Sequence, residues 1–277
     1  MLWPDTFTNH FEPDVGKAAV EALEAAGFSV IIPEAAVCCG RPLYEYGMLE
    51  RARQYGRRNL EMLRGAIAAE MPVVVLEPSC LSVFKDEMHN LFADDPDAST
   101  LARNCYSLDD FLVEKADYQP PRLERLAMIH GHCHQKALGG RANEIKLLKR
   151  MGIETHAPDT GCCGLAGSFG YEAAHYDVSM KIGEHVLLPE VRQMSPDALI
   201  VTSGFSCRAQ IAHGTGRNAL HPAQVVQMAL REAERRSHEQ IRKERRSAVR
   251  AAAAKVALGV AVAACAGIAF NRQMQMR

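Results

Sequence analysis

The sequence has almost no net charge, −1 at pH 7 from 32 Lys and Arg against 33 Asp and Glu. That balance supplies no basic face for a phosphate backbone, so nucleic acid is not a partner of the main body. The start, Met1-Leu2-Trp3-Pro4-Asp5, lacks a basic segment followed by an apolar one and does not read as a secretory signal. It opens inside what should be the first strand, as a piece of a longer ancestor would. There is no Cys-x2-Cys pair of the kind structural zinc sites use. Nor is there a C-x2-C-x2-C-x3-C-P run that would mark a ferredoxin cluster. The glycines of Gly164-Leu165-Ala166-Gly167-Ser168-Phe169-Gly170 do not fit the G-x-G-x-x-G dinucleotide fingerprint.

What is present is cysteine, nine of them in 277 residues, in a chain of otherwise ordinary globular composition. A chain of this length holds one large or two small cores. Clustered cysteines without a signal peptide point to metal or redox chemistry in a reducing, cytoplasmic compartment. The densest stretch is Thr160-Gly161-Cys162-Cys163-Gly164. Successive strand side chains face opposite ways, so two adjacent cysteines between glycines read as a tight loop whose thiolates converge. Cys133 lies upstream in His130-Gly131-His132-Cys133-His134, and Cys207 downstream in Ser203-Gly204-Phe205-Ser206-Cys207. Four thiolates at loop positions suit a soft-ligand site, iron–sulfur or zinc.

The pattern occurs twice. Cys38-Cys39-Gly40 followed by Cys80 in Glu77-Pro78-Ser79-Cys80 repeats the second-half motif at an offset of about 125 residues. Ala26-Gly27 matches Met151-Gly152, and Val73 to Leu76 matches Ala198 to Val201. The first half has no thiol equivalent to Cys133; Asp5-Thr6-Phe7-Thr8-Asn9-His10 stands there.

Periodicity predicts a helix from Glu12-Pro13-Asp14 to Gly27, a strand at Phe28–Ile32 and a long helix over Met48–Ala69. Val73–Leu76 reads as a buried strand. Gln119-Pro120-Pro121 reads as the linker between halves. The second half then gives strands at Leu126–Ile129, Ile153–His156 and Ala198–Val201. Its helices are expected over Asn143–Met151, about His175–Leu187 and Ala223–Arg231. Alternating strands and helices argue for an α/β fold of two pseudo-symmetric βαβ-type halves, each with a small parallel sheet and a Cys-Cys-Gly loop. The expected divisions are 1–120, 121–232 and a helical tail, 233–277. Ligand sites of such sheets lie at the carboxyl ends of strands, where each cysteine group falls. In the tail, Glu232–Arg250 is a charged, solvated arm. Beyond Lys255, Val256–Phe270 offers about 15 uncharged residues against the roughly 20 that span a bilayer. It reads as a helix on protein or in solvent, or as a weak anchor at the inner face of a membrane.

On these residues the chain resembles the cysteine-rich "CCG" domain family. That family includes the cysteine-rich subunit of heterodisulfide reductase and the iron–sulfur subunits of glycolate oxidase and anaerobic glycerol-3-phosphate dehydrogenase. Lactate-utilisation proteins also belong to it. Asp5-Thr6-Phe7-Thr8-Asn9 and His132-Cys133-His134-Gln135-Lys136 are most similar to the C-terminal part of fused FAD-linked D-lactate-type dehydrogenases. The resemblance covers roughly residues 1–232. It implies a [4Fe-4S] cluster held by Cys133, Cys162, Cys163 and Cys207, and an oxidoreductase component rather than a complete enzyme. FAD would sit on a flavoprotein partner, with a ferredoxin-type iron–sulfur domain alongside and a quinone or other carrier as acceptor. The family's longer pattern ends in Cys-x-x-Cys; Gln210 stands at its last position here, which counts against a non-cubane assembly. Heterodisulfide or thiol–disulfide reduction and a non-catalytic zinc-stabilised domain are the alternative functions.

Cys38, Cys39 and Cys80 could hold a second metal if Asp5, Asn9, His10 or an external ligand completed the set. They could equally be a remnant, or part of a site shared between halves. Of the histidines, His132 and His134 are placed behind the ligands, or simply orient their loop together with His130. Gly164 lets a helix start close to the cluster, where amides can donate to sulfur. Lys85 and Lys136 could screen cluster charge. Cys105 and Cys265 read as ordinary packing.

Overall fold

Strands β1 (Leu2–Trp3), β2 (Val73–Val75) and β3 (Cys105–Tyr106) form a parallel sheet in the order β1-β2-β3. In the second half, β4 (Leu126–Ile129), β5 (Glu154–His156) and β6 (Leu199–Val201) form another, in the order β5-β4-β6. This computed structural model describes residues 1–35 and 38–247. Leu2 stands opposite Val74, and Ala127 opposite Leu199, so one displacement in sequence carries the first pairing onto the second. The fold is the expected α/β arrangement with one parallel sheet per half.

Strand alternation sorts the apolar side chains into three cores. Leu2, Val74 and Leu76 meet Ala127, Ile129 and Val201 in a core shared by both sheets. The opposite face, Trp3, Val73 and Val75, packs with Cys39, Cys80 and Cys105 in a core of the first half alone. Met128 and Ile200 do the same with Cys163 and Cys207 in the second. Each Cys-Cys-Gly loop is therefore anchored by a thiol inside its own half's outer core.

The helices follow from local chemistry. Pro13–Ala25 starts on proline, places Asp14 in its first turn and buries Val15, Ala18, Ala19, Ala22 and Leu23. It stops before Gly27, whose φ of +91° only glycine adopts without strain. Leu49–Ala68 is the expected long helix. Residues 222–230 are helical and add Ala223, Val225, Val226 and Ala229 to the shared core.

Two expectations fail. Phe28–Ile32 forms no strand and meets the first sheet's edge only once, Ile31 O accepting from Leu2 N–H at 2.8 Å. Phe28 packs edge-on against Phe111, but Ile31 and Ile32 are exposed and Pro33 ends the run, so among the described residues no strand pairs with its outer side. The helix expected through Leu187 breaks at Val186, giving Tyr176–His185 and Leu187–Gln193. Pro189 cannot donate to the carbonyl four residues back, and the restart places it in a first turn.

Residues 1–230 form one compact unit, and Arg231 begins a second. Within the latter, 231–247 are helical and mostly exposed, with Arg235 and Arg236 both paired to Glu232. Among the described residues no helix is long and apolar enough to cross a membrane. The apolar stretch 256–270, with Cys265, lies outside the described residues.

Candidate metal centre

Cys133 opens the Cys133–Leu138 helix after β4, Cys162 and Cys163 follow β5, and Cys207 lies in the Phe205–Thr215 helix after β6. Parallel strands make all three carboxyl ends point the same way, so the four thiols converge. They form one hydrogen-bonded chain: Cys133 with Cys162, Cys162 with Cys163, and Cys163 with Cys207. Cys207 is fully buried, Cys163 nearly so, Cys162 half-buried and Cys133 exposed. The four cysteines expected to act together lie at a partly open edge.

The Cys-Cys-Gly loop aims backbone amides at its own sulfurs. Gly164 N–H donates to Cys162 Sγ at 3.3 Å, and Leu165 N–H to Cys163. This needs φ of +102° at Gly164, and a Cβ there would stand 2.1 Å from Ser179 O. Only glycine fits, for conformation and for space. The loop is held from behind by Thr160, whose Oγ1 lies 2.5 Å from His130 Nδ1, and by Lys136 Nζ donating to Gly161 O at 2.6 Å. Arg141 ties the strand ends together through the carbonyls of Ile129, Ala157 and Pro158.

Hydrogen bonds between the thiols divide them into two that favour the thiolate and two that hold their protons. Cys162 lies well below the ordinary thiol value because Cys133 and then Cys163 donate to it; Cys207 is lowered by Cys163 and by the nearby His130. Cys133 and Cys163, the donors, are raised. His132 caps the Cys133 helix, its Nδ1 accepting from His134 N–H at 3.2 Å while Gln135 completes a capping box. His134 is pushed down to about 4 by burial and by Arg41, whose Nη2 is 2.8 Å from its Nε2. The ring must accept from the guanidinium, leaving a buried Nδ1–H without a partner.

The first group differs. Cys38 donates toward Cys39, and Cys80 Sγ lies 3.0 Å from Cys39 Sγ. Gly40, at φ +87°, and Arg41 send amides to Cys38 and Cys39, repeating the second-half design. All three thiols are nevertheless raised: Cys38 by its bond to Cys39 and then by burial, Cys39 by its bond to Cys80 and burial against the lowering bond from Cys38, and Cys80 to about 11 by burial and the charges of Asp5 and Glu77 against the lowering bond from Cys39. The Thr6 side chain, which the sequence did not single out, bonds to Cys38. Asn9 and His10 are exposed and bond to one another. Cys105 is buried in the core as expected. Lys85 lies over the Tyr106 ring at 5.8 Å, and its charge acts on Cys105.

A family model described as a cysteine-rich domain, CCG, matches residues 6–85 and 128–212, the two halves in turn. The chain belongs to the cysteine-rich CCG domain family. It is 31% identical to lactate utilization protein A of Bacillus subtilis, over 81% of this chain and 97% of that one. The C subunit of anaerobic glycerol-3-phosphate dehydrogenase from Escherichia coli is 28% identical over 81% of this chain and 57% of its own length. D-2-hydroxyglutarate dehydrogenase of Pseudomonas putida is 27% identical over 82% of this chain and 22% of its own. The chain thus spans little more than half of one relative and under a quarter of another.

Among the described residues, no three His, Cys, Asp or Glu side chains already stand in closed metal-coordinating positions. The CCG sulfurs bond to each other instead. Their chemistry still fits a soft metal group: two of four already favour the thiolate form that metals require, and amides point at sulfur. The His130 side chain also bonds to Cys207. Gln210, at the position of the family's further cysteine, sends its amide to Ser179 and braces the Gly164 turn.

Proposed function

We propose that this chain is the iron–sulfur electron-transfer module of a flavin-dependent 2-hydroxyacid dehydrogenase of the lactate or glycolate type. The observation that carries the reading is the convergence of Cys133, Cys162, Cys163 and Cys207 at one sheet edge. Relatives named for lactate utilization and D-2-hydroxyglutarate dehydrogenase support the 2-hydroxyacid class, and the glycerol-3-phosphate dehydrogenase subunit supports a dehydrogenase component more broadly. A [4Fe-4S] cluster, when bound, takes up and releases single electrons at a potential set by its surroundings. The four cysteines would hold it. Gly164 and Leu165 amides would donate to its sulfur ligands, and His130 and Lys136 would offset its negative charge. Burial of Cys163 and Cys207 keeps water from one side, while Cys133 leaves the other open to a partner. FAD is expected on a partner flavoprotein, with a ferredoxin-type domain and a quinone or membrane acceptor completing the chain.

Thiol–disulfide reduction is the second reading, favoured by the 3.0 Å approach of Cys39 and Cys80. The thiolate is the nucleophile in such exchange, and all three thiols of that group are held protonated. The electron-transfer reading is therefore preferred.

Anaerobic purification with iron, sulfide and zinc analysis and EPR, on wild type and Cys162→Ser, tests it. Near-equal iron and sulfide, lost in the variant, is the expected result. Zinc without sulfide would replace it with a zinc-stabilised interaction domain.

A further inference from the structure

Glu77 follows β2 and is 4% exposed. It caps the Pro78–Ser82 helix, which carries Cys80: its Oε1 accepts from Ser79 N–H at 3.3 Å and Ser79 Oγ–H at 2.6 Å. Its other oxygen crosses to the second half, where Oε2 accepts from Phe205 N–H at 2.9 Å. Phe205 is the first residue of the helix that carries Cys207.

That second helix lacks a cap of its own. Its capping position is Gly204, and no side chain there bonds to the helix. A Cβ on Gly204 would stand 2.2 Å from His132 Cδ2, so no Ser, Asp or Asn can fit. Glu77 and Gly204 hold matching places before Cys80 and Cys207, and one carboxylate serves both. His132 joins the arrangement. Its Nδ1 accepts from His134 N–H, so Nε2 carries the proton and lies 4.0 Å from Glu77 Oε1.

We propose that Glu77 is a positioning residue shared by the two cysteine groups, its carboxylate fixing the start of both the Cys80 helix and the Cys207 helix. The two groups are then not independent: a change at Glu77 moves a thiol in each half. Glutamine cannot replace it, because one of its two ends is an NH2 that would face an N–H donor.

The inference deepens the proposed metal centre, and its test is read on thiols without metal. The full chain, chelated and reduced, is treated with iodoacetamide, and each cysteine's alkylation rate is followed by mass spectrometry. In Glu77→Gln, Cys80 and Cys207 should both react roughly tenfold faster, the scale of one lost charge-assisted hydrogen bond. Cys105, buried and acted on by Lys85 but not by Glu77, is the internal reference and should not change. Phe205→Pro removes the crossing donor at a position where proline suits a helix, together with the ring's packing on Phe7 and Phe11, and should accelerate Cys207 but not Cys80; Phe205→Ala, which loses the ring and keeps the N–H, separates the two effects and should accelerate Cys207 less. An unchanged Cys207 in Glu77→Gln, or equal acceleration of Cys105, would overturn the proposal. Absence of iron in wild type would instead sink the electron-transfer reading and leave this result standing.

Discussion

Arg208, in the second half, grips Glu12, which stands just ahead of the first half's Pro13–Ala25 helix. Its Nε and Nη2 donate to one carboxylate oxygen at 2.9 and 2.5 Å. Nη1 meanwhile donates to Thr202 O and Ser203 O, and the side chain is 7% exposed. The guanidinium thus joins the halves and fixes the turn before the Cys207 helix. Arg208→Met leaves two carbonyls and a carboxylate without their donor, and should cost about 3 kcal/mol. Glu12→Gln keeps an acceptor on a partly exposed side chain and should cost only about 1 kcal/mol. Urea unfolding of the reduced protein checks both; equal losses would count against the cross-half role.

Gly204 predicts a sharper effect. An added methyl would meet a ring that is itself buried and bonded at the head of the Cys133 helix. Gly204→Ala should destabilise by about 1–3 kcal/mol and shift His132, disturbing Cys133 more than Cys39. His132→Ala alone loses a cap, but combined with Gly204→Ala it should recover part of the stability, because the clash is gone. A fully additive pair would show that the methyl is absorbed elsewhere.

The doubling, the parallel sheets and the four converging thiols were legible because they rest on spacing and on strand alternation. β4 and β6 follow from apolar runs that suit a buried strand, whereas β5, Glu154–His156, is a polar and largely exposed edge strand beside β4. The Phe28–Ile32 run looked the same, but strand pairing needs a covered neighbour, which the sequence does not display. The break at Val186 was signalled by Pro189. Glu77, Arg208 and Thr6 were not readable as site residues, since each acts across the fold on a partner far away in sequence. Their only local signal is a polar residue beside a cysteine or after a strand. Gly204 carried a signal of another kind: a glycine at a capping position implies that the cap comes from elsewhere.

The asymmetry between the cysteine groups can be separated by substitution. His130, His132 and Lys136 favour thiolate in the second, whereas Asp5 and Glu77 oppose it in the first. Cys207→Ser should therefore remove most iron from the anaerobically reconstituted protein. Cys38→Ser should leave the second-half EPR signal in place, with at most a loss of additional iron. Asp5→Asn removes one opposing charge and should increase metal uptake by the first group. Identical loss from Cys38→Ser and Cys207→Ser would mean one site built from both halves.

Glu144 and Asp109 set the response to pH. Glu144 is fully buried, one oxygen accepting from Gln135 Nε2 at 2.9 Å and the other without a partner. Burial first, then the charge of Asp109, raises it above its usual 4.5; Asp109 is raised by burial and by Asp110. A carboxyl raised on folding binds its proton more tightly in the native state. Its contribution is complete below the unfolded value and is lost as pH rises through the folded one. His221 works in the opposite direction: burial and Arg208 lower it to about 3, so its cost appears as pH falls below 6.5. Its Nε2–H donates to Leu76 O and its Nδ1 accepts from Ala223 N–H, which requires the neutral ring. Above about pH 7 that histidine is silent and the carboxyls remain. Glu144→Gln, which keeps the acceptor and removes the charge, should be nearly neutral at about pH 3.5, where the carboxyl is largely protonated in both the folded and the unfolded state. At about pH 8.5 it should stabilise by a few kcal/mol, the scale of a multi-unit shift. Urea midpoints of variant and wild type at the two pH values decide it, and a difference independent of pH would mean that the pair carries no buried charge.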